Sequence, residues 1–382
     1  GLRVGGGGYG GGGGGGRIAD AYDTNAQAAA AVPATRFFAA GSLGSYGSVP
    51  SYGYVGTLYF TDNRFLTNIF SHIGEWNVPG FTNWTVGDLI ISNRGWLKFP
   101  YGFHLTVTNQ LIVRGVTGAD PNLTRLEVEN GALYCAGDIL VTNAALRLYA
   151  NASGATNSVG ATLNCDGSLT IAPTNALLGL YCHKTNGSHV VVTTRDFILN
   201  QGGRVETAGY NSGYGPGRGS SGVSGGSYGG QGAGANPGST YGSSNAPIDA
   251  GSPGAPTSLV NGPGGGVIRI IAQNVLRLNG SMVADGIGSA TGGGAGSGGS
   301  IYLTGLILEG SNGLLRAAGA TAPGATGQSG GGGRIAVWRS FDHTTGAISN
   351  SVAGGAGTNP GSEGTIVYGQ LPPPSGGVLF VR

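Results

Sequence analysis

The sequence predicts an all-β fold: a right-handed parallel β-helix (β-solenoid) with glycine-rich loops and an extended N-terminal arm. A Gly-x-Ile phrase recurs in the second half of the chain, and its isoleucines, at positions 268, 301, 335 and 366, are 33, 34 and 31 residues apart. The surrounding segments alternate and are rich in Val, Ile, Leu, Thr and Tyr, which favour strands. A fixed period with a glycine turn in each repeat is typical of stacked β coils, and parallel crossovers are right-handed.

The first half of the chain has a related period with shorter loops. Residues 142–150 and 174–182 match at a spacing of 32 residues. Each repeat is therefore expected to hold two or three short strands, and its turn asparagines to stack in ladders between coils. Four leucines recur at spacings of 15, 15 and 17 residues: Leu133, Leu148, Leu163 and Leu180. The turn asparagines are Asn109, Asn143, Asn175, Asn200 and Asn279.

These periods divide the chain into five segments. Residues 1–40 form a Gly/Ala-rich N-terminal arm, and residues 370–382 form a C-terminal strand tail. Residues 41–209 and 264–369 form the first and second parts of the β-helix, the second with repeats of about 33 residues. Residues 210–263 are rich in Gly, Ser and Tyr, and we interpret them as one oversized insertion between two coils.

Two segments depart from the strand pattern. Residues 23–31 predict the one short helix, with Asp23 or Thr24 as its N-cap. The insertion is expected to pack along the solenoid, or along a neighbouring subunit, as an extended or polyproline-II-like chain. Tyrosines would anchor it, because each combines a large apolar ring with a hydroxyl group; the predicted anchors are Tyr214, Tyr228 and Tyr241.

The composition restricts the class of protein. Glycine accounts for 81 of the 382 residues, charged residues for 9%, and the net charge is +2. This charge is too small for a nucleic-acid partner, and aromatic residues argue against simple disorder. No apolar run reaches the ~18 residues that a membrane helix needs. Low charge with abundant Gly, Ser, Thr, Asn and Tyr indicates an extracellular or cell-surface protein, and we interpret the start at Gly1 as that of a mature or trimmed chain.

Three phrases of the second half carry a resemblance to a known family. They are GGGGRIAVW at 330–338, NGSMVADG at 279–286 and GSEGTIVYG at 361–369. In these phrases the chain resembles the glycine-rich right-handed parallel β-helix proteins of bacterial cell surfaces, which share the pectin-lyase-like fold. The resemblance covers residues 264–369 well and residues 86–209 loosely. It implies the fold but no activity, because lyases, hydrolases and adhesins share it.

The sequence predicts no catalytic residue, no metal site and no cofactor. The five histidines lack metal-ligand spacing, and the carboxylates are scattered. Glu127 and Glu129 share a strand face, which indicates either a solvated face or a calcium or sugar site. Asp138 and Asp166 could approach each other in adjacent coils, at a rise of ~4.8 Å per coil. The other carboxylates considered are Asp88, Asp120 and Asp196.

Cysteines and glycosylation sequons provide two further predictions. Cys135, Cys165 and Cys182 are 30 and 17 residues apart, so Cys135 and Cys165 can lie in adjacent coils as a disulfide or as stacked buried thiols. The odd count leaves one cysteine free. Asn-x-Ser/Thr sequons suit a secreted protein and predict glycosylation at Asn83, Asn122, Asn151, Asn186 and Asn279.

Nearly the same phrase, a glycine run followed by Arg-Ile-Ala, occurs at residues 17–19 and 334–336. The open ends of a solenoid recruit other chains unless they are capped. We therefore expect the N-terminal copy to be donated to an open edge of another subunit, a heterologous contact that grows a filament. The intramolecular alternative is that residues 17–22 begin the first coil of their own chain. The predicted interface residues are Gly14, Gly15, Gly16, Arg17, Ile18 and Ala19, together with the apolar strand of the C-terminal tail, Val378, Leu379, Phe380 and Val381.

The predicted function is that of an extracellular structural protein, not an enzyme: the subunit of a head-to-tail filament or surface matrix. Its expected partners are other copies of itself and glycans or a cell surface, with no nucleic acid and no membrane span. One alternative is a carbohydrate-binding adhesin, which would show Trp76, Trp84 and Trp96 along one face. The other is a polysaccharide lyase or hydrolase, which would show a groove with clustered Asp, Glu and Arg.

Overall fold

The structure, a computed structural model, describes residues 13–46, 49–152, 155–211, 213–220, 223–255, 262–289, 293–322 and 327–373. Within these ranges α-helix is limited to the single turn α1, Thr24–Gln27, and most other regular structure is β. The strands form two long parallel sheets of 11 and 13 strands and one antiparallel pair, β2 (Leu43–Tyr46) with β3 (Val49–Tyr52). The prediction of an all-β protein is therefore confirmed.

Sheet I contains 11 parallel strands, each paired with the next one in this order. They are β1 (Arg17–Asp20), β4 (Thr57–Phe60), β6 (Ile73–Asn77), β9 (Trp96–Lys98), β12 (Arg125–Glu129), β15 (Ala145–Tyr149), β17 (Ala176–Tyr181), β19 (Gly203–Glu206), β21 (Ser281–Val283), β23 (Leu314–Arg316) and β25 (Ser349–Ser351).

Sheet II contains 13 parallel strands and begins as two columns that later merge. The first column is β5 (Ile69–Phe70), β8 (Leu89–Ile91), β11 (Leu111–Arg114) and β14 (Ile139–Thr142); the second is β7 (Asn83–Val86), β10 (His104–Val107) and β13 (Ala132–Cys135). Both columns continue into long strands with a register shift near the middle. These are β16 (Val159–Ile171), β18 (His189–Leu199), β20 (Val267–Leu278), β22 (Ser300–Gly310) and β24 (Arg334–Thr344), followed by the shorter β26 (Thr365–Gln370).

The chain passes alternately through sheet II and sheet I, and this alternation explains the periods in the sequence. Leu133 pairs with Leu163 in sheet II, whereas Leu148 pairs with Leu180 in sheet I, so the half-period marks the step from one sheet to the other. The four isoleucines of the Gly-x-Ile phrase are neighbours in successive strands of sheet II. The side chains of Ile268, Ile301 and Ile335 and the inward-facing leucines and valines of both sheets form one continuous buried core.

The N-terminal arm covers one end of this core. Asp23 caps α1 by accepting hydrogen bonds from the backbone N–H groups of Asn25 and Ala26, as predicted. The helix ends at Gln27 instead of residue 31, because its face is wholly exposed and no core contact stabilises the alanines that follow. Tyr22 and Phe37 pack edge-to-face against Phe65, which closes this end with aromatic side chains.

Glycine-rich runs form a third layer beside the sheets, and their hydrogen bonds repeat every third residue. The N–H groups of Gly262 and Gly265 donate to the carbonyl oxygens of Gly294 and Ser297 in the next repeat. The next two repeats continue this pattern, Ala295 and Gly298 donating to Gln328 and Gly331, and Ser329 and Gly332 donating to Asn359 and Ser362. A three-residue period is that of a polyproline II chain. We call residues 262–266, 293–299, 328–333 and 359–364 the glycine layer.

The insertion packs along this layer, as predicted. The Gly226 N–H donates to the Ala295 carbonyl, and the Gly331 N–H donates to the Gly226 carbonyl. Tyr228 is fully buried, and its hydroxyl lies 2.7 Å from the Ser300 hydroxyl. The ring of Tyr241 packs 4.8 Å from that of Tyr228.

One of the three predicted anchors is wrong. Tyr214 is exposed, whereas Tyr210, at the start of the insertion, is buried and donates to the Asn157 side chain. The turn asparagines Asn143 and Asn175 both adopt left-handed φ angles of 49° and 48°. Their side chains bond to Thr174 and to the Ala119 carbonyl, so this pair does not form the expected direct ladder.

Candidate functional site

A row of alternating charges runs along the outer face of sheet I. Lys98 of β9 pairs in register with Glu75 of β6 on one side and with Glu127 of β12 on the other, and Glu127 pairs with Arg147 of β15. Neighbouring residues such as Leu126 point into the core, and side chains alternate along a strand, so the charged residues face outward. Consecutive strands therefore place opposite charges side by side.

Two compact ion networks result from this row. The Lys98 ammonium nitrogen lies 2.8 Å from the Glu75 carboxylate and 3.1 Å from that of Glu129. One carboxylate oxygen of Glu127 lies 3.4 Å from an Arg125 nitrogen and 3.7 Å from an Arg147 nitrogen. Arg125 and Glu127 are only 3% and 5% exposed. A buried Glu127 thus serves two guanidinium groups.

Aromatic rings frame these charges. The guanidinium carbon of Arg125 lies 3.2 Å from the centre of the Trp96 ring, a close cation–π contact. The rings of Tyr149 and Tyr181 stack with their centres 4.9 Å apart. Tyr54, which follows the β2–β3 hairpin, stands largely exposed at the opening. Tyr54 therefore offers an exposed ring beside cationic groups, whereas the Trp96 ring is covered by Arg125.

Between these side chains lies a cleft of about 480 Å³. This volume is within the range of small-molecule sites, ~300–1,000 Å³. The lining side chains include four Lys or Arg and two Glu, so cations are in excess. The cleft is lined by Gly53, Tyr54, Trp96, Lys98, Arg125, Glu127, Glu129, Arg147, Tyr149, Ala150, Cys182, His183 and Lys184.

Burial alters the protonation chemistry of the cleft. Desolvation lowers the pKa of Arg125 to about 10, with Glu127 opposing that change. Burial also acts to lower the pKa of Lys98, but its hydrogen bonds to Glu75 and Glu129 outweigh burial and raise it. Both groups remain cationic at neutral pH, so the cleft keeps its positive charges.

Two polar groups of the cleft have no hydrogen-bond partner among the described residues. They are the indole Nε1 of Trp96 and the Nε of Arg147, both shielded from solvent. A buried donor without a partner costs ~1–3 kcal/mol. Because both atoms are shielded from solvent, they are also shielded from a molecule bound in the cleft.

The structure brings together some of the residues predicted from the sequence and separates others. Glu127, Glu129 and Trp96 all line the cleft. Trp76, in contrast, is fully buried in the core, and Trp84 packs partly buried against it. The expected tryptophan face is therefore wrong, because strand alternation turns Trp76 inward.

The basic half of the cleft was missed in the sequence. Lys98, Arg125 and Arg147 lie 22 to 27 residues apart, and only the strand register makes them neighbours. The available signal was alternation: in RLEVE and in ALRLY, charged and apolar residues alternate, so every charge faces the same side of its strand.

The scattered carboxylates do not assemble into a metal site. Among the described residues, no group of three or more His, Cys, Asp or Glu side chains is placed to hold a metal ion. Asp138 accepts a hydrogen bond from the Ser168 N–H, whereas Asp166 accepts one from the Tyr134 hydroxyl. Each of these two carboxylates is thus occupied by its own partner.

The cysteines occupy buried positions. Cys135 and Cys165 are neighbours in register in β13 and β16, as the spacing predicted. All three cysteines, including Cys182, are free thiols in the structure. The Cys165 thiol donates to the Gly137 carbonyl, and the Cys135 thiol lies near the Asp138 carbonyl, so backbone oxygens take the place of an S–S bond.

The five predicted glycosylation sequons differ in accessibility. Asn83 is exposed on β7. Asn122, Asn186 and Asn279 are half-buried, and each side chain is hydrogen-bonded within the protein. Asn151 is buried, so a glycan could be attached there only before folding or after local opening. Asn83 is thus the best placed of the five.

The predicted donor strand is placed on its own chain. Arg17, Ile18 and Ala19 belong to β1, which pairs in parallel with β4. The preceding residues Gly14, Gly15 and Gly16 run beside residues 53–57, and the Gly15 N–H donates to the Tyr54 carbonyl. This is the intramolecular alternative; β4 offers a free edge within the same chain.

The C-terminal part of the predicted interface lies outside the described residues. It comprises Val378, Leu379, Phe380 and Val381, which are followed by Arg382.

Comparisons with protein-family models, characterised proteins and solved structures give no match. Within the described part of the chain, no helix has the length and apolar character needed to span a bilayer. Function must therefore be argued from the cleft and from the ends of the two sheets.

Proposed function

We propose that the chain is an extracellular right-handed β-solenoid that binds an acidic saccharide chain in the cleft on sheet I. The observation that carries this proposal is the placing of the exposed Tyr54 ring beside Trp96, Tyr149 and four cationic side chains in one open cleft. Sugar rings have apolar faces that pack on aromatic rings, and their carboxylate or sulfate groups bind guanidinium groups. The low overall charge and the exposed sequon at Asn83 fit an extracellular location.

The charge balance selects an acidic ligand over a neutral one. Lys98 lies between Glu75 and Glu129, a group with one net negative charge, and Glu127 is shared by Arg125 and Arg147, a group with one net positive charge. The two networks together are neutral, and Lys184 at the rim adds one positive charge. A bound carboxylate or sulfate would restore neutrality, whereas a neutral sugar would leave the excess in place.

We propose binding without turnover. Glycoside hydrolysis requires two carboxyl groups, one as an acid and one as a base or nucleophile. Glu127 is held by two arginines and Glu129 by Lys98, so both carboxylates are committed to ion pairs. No reducing ends and no unsaturated products are expected after prolonged incubation with acidic polysaccharides; accumulation of either product would contradict a purely binding role.

The binding test uses oligosaccharides of three kinds: uronic-acid, sulfated and neutral. Calorimetric titration should show saturable binding of the acidic probes that weakens as salt is added, because exposed charges are screened. The variants Tyr54→Ala and Lys184→Ala change exposed rim residues without disturbing the core, and each should weaken binding about tenfold, equivalent to ~1.4 kcal/mol. Tyr101→Ala and Arg114→Ala are matched exposed controls outside the cleft.

The outcomes of this titration separate the two parts of the proposal. Equal affinity for neutral and acidic probes would reject the acidic class but retain saccharide binding. Absence of saturable binding by any probe, or equal losses in the rim variants and the controls, would reject the cleft as a saccharide site.

A structural role is the second candidate, in which the chain is a subunit of a larger surface or matrix assembly. The observation that favours it is the C-terminal edge of sheet II, where β24 is the one described strand that pairs with β26. An unprotected parallel edge invites pairing with another chain. Sedimentation velocity over a range of concentrations tests this role, and a monomer at all concentrations would argue against it.

A further inference from the structure

Among the described residues, none covers the core of the two-sheet stack at its C-terminal end. Ile335 of β24 and Ile366 of β26 occupy the same inward-facing ladder, as do Val337 and Tyr368. The β24 residues are 0% exposed, whereas Ile366 is 43% and Tyr368 37% exposed. These two ladders are therefore buried at β24 and exposed at β26.

No strand in the described part of the chain pairs with the outer edge of β26. The N–H groups of Thr365 and Leu371 donate inward to the carbonyls of Gly333 and Arg339. In a parallel pair, alternate residues face the same neighbour. The N–H and C=O groups of residues 366, 368 and 370 therefore point away from β24, towards the open end.

The glycine layer beside this edge is closed instead of open. In three successive repeats, pairs of N–H groups three residues apart donate to the next repeat. The equivalent residues of the last run are Pro360 and Glu363. Proline has no N–H group, and the exposed carboxylate of Glu363 opposes burial. The end face is thus open for sheet II and blocked for the glycine layer.

The N-terminal end does not match this face. The column of sheet II that ends at β26 begins, at the other end of the molecule, with β7. Beyond β7, sheet I continues for three further strands, β6, β4 and β1. Tyr22 and Phe37 of the arm pack over the core there. In a head-to-tail pair, these strands and the arm of one copy would contact the end of the other copy before β26 of that copy could pair with β7.

We infer that the occupant of the β26 edge is a second copy of this chain, joined tail-to-tail. A two-fold axis at Tyr368 would pair residues 366–370 of β26 with the same five residues antiparallel, and residue 366 would face residue 370 of the other copy. The contact would cover Ile366 and Tyr368 in both copies and would leave the closed glycine layers outside the pairing. This inference rests on the structural role proposed above and replaces filament growth by a closed pair.

Light scattering of the full chain across a concentration series tests the stoichiometry. A dimer of twice the 37.8 kDa chain is expected. Ile366→Lys should raise the dissociation constant at least tenfold, whereas the control Val116→Lys, at an exposed apolar residue far from the end, should leave it unchanged. A concentration-independent monomer would overturn both the inference and the structural role, whereas open-ended polymers would overturn the inference alone.

Engineered cysteines test the geometry. Tyr368→Cys should give a covalent dimer when a mild oxidant removes two electrons and two protons from the facing thiols, because paired antiparallel residues have Cα atoms ~5.5 Å apart. The native cysteines are buried. If removing residues 374–382 converts a monomer into a dimer, the tail is the occupant and the inference is wrong.

Discussion

Gly331 allows the packing of the insertion against the glycine layer to be tested at one position. A Cβ atom built on Gly331 would lie 2.1 Å from the Gly230 carbonyl oxygen. Real Cβ atoms do not approach an oxygen within 3.0 Å, so the two backbones would have to separate by about an ångström. The Gly331 N–H donates to the Gly226 carbonyl, and its carbonyl accepts from the Gly298 N–H, so movement in one direction strains the other contact.

The expected cost of Gly331→Ala follows from this overlap. Overpacking in a closely packed interior costs ~1–3 kcal/mol, and a backbone-to-backbone clash falls at the upper end of that range. Alanine also has less conformational freedom than glycine in the unfolded chain, which stabilises the folded state by ~0.4–1 kcal/mol. The net destabilisation is then about 2 kcal/mol. For 382 residues at ~2.1 cal/mol/K per residue, the entropy of unfolding is ~0.8 kcal/mol/K, which corresponds to a fall in Tm of ~2–3 °C.

Differential scanning calorimetry and limited proteolysis measure this prediction. Gly331→Ala should lower Tm and speed cleavage within the insertion. Gly87→Ala is the matched control, because its Cβ would meet only the Asn109 amide nitrogen at 3.5 Å; this control should be neutral or slightly stabilising. If Gly331→Ala leaves both Tm and the cleavage rate unchanged, the insertion does not pack on the glycine layer as described.

Three further predictions concern buried polar groups. Burial lowers the pKa of His189 to about 4, so below pH ~6.5 the unfolded chain takes up a proton at this residue while the folded chain does not. The free energy of unfolding should therefore fall by about 3 kcal/mol between pH 6.5 and pH 4. Urea titrations should show a weaker dependence of stability on pH for His189→Gln. Tyr228→Phe removes a buried hydroxyl–hydroxyl contact and should cost about 1 kcal/mol in thermal unfolding, with Tyr214→Phe without effect. Glu127→Gln leaves two guanidinium groups without their shared counter-charge and should cost about 3 kcal/mol, whereas Glu129→Gln, at a more exposed pair, should cost less than ~1 kcal/mol; equal losses would contradict the buried network.

The repeat architecture was accessible from the sequence because each repeat carries its own copy of the pattern. Ile268, Ile301 and Ile335 stand in one ladder, and their spacing alone predicted it. The position of the insertion followed from the jump in that pattern between residues 209 and 264. Local composition was sufficient in both cases, because strand alternation and glycine turns are local properties.

The cleft and the role of β1 depended on information that no local pattern contains. Arg125 and Arg147 meet at Glu127 only after the register of β12 and β15 is known. The phrase shared by residues 17–19 and 334–336 correctly identified a strand that pairs in parallel, but it could not distinguish an edge in the same chain from an edge in another. Proximity along the chain favours β4, because closing the intervening loop costs little entropy.

The most direct test of the saccharide cleft is hydroxyl-radical footprinting of the full chain with and without a saturating acidic oligosaccharide. The account predicts that oxidation falls selectively at the cleft residues Tyr54, Tyr149 and His183, while the exposed Tyr101 and Tyr214 remain unchanged. Protection confined to other parts of the surface, or no protection under conditions where calorimetry shows binding, would contradict the assignment of the site.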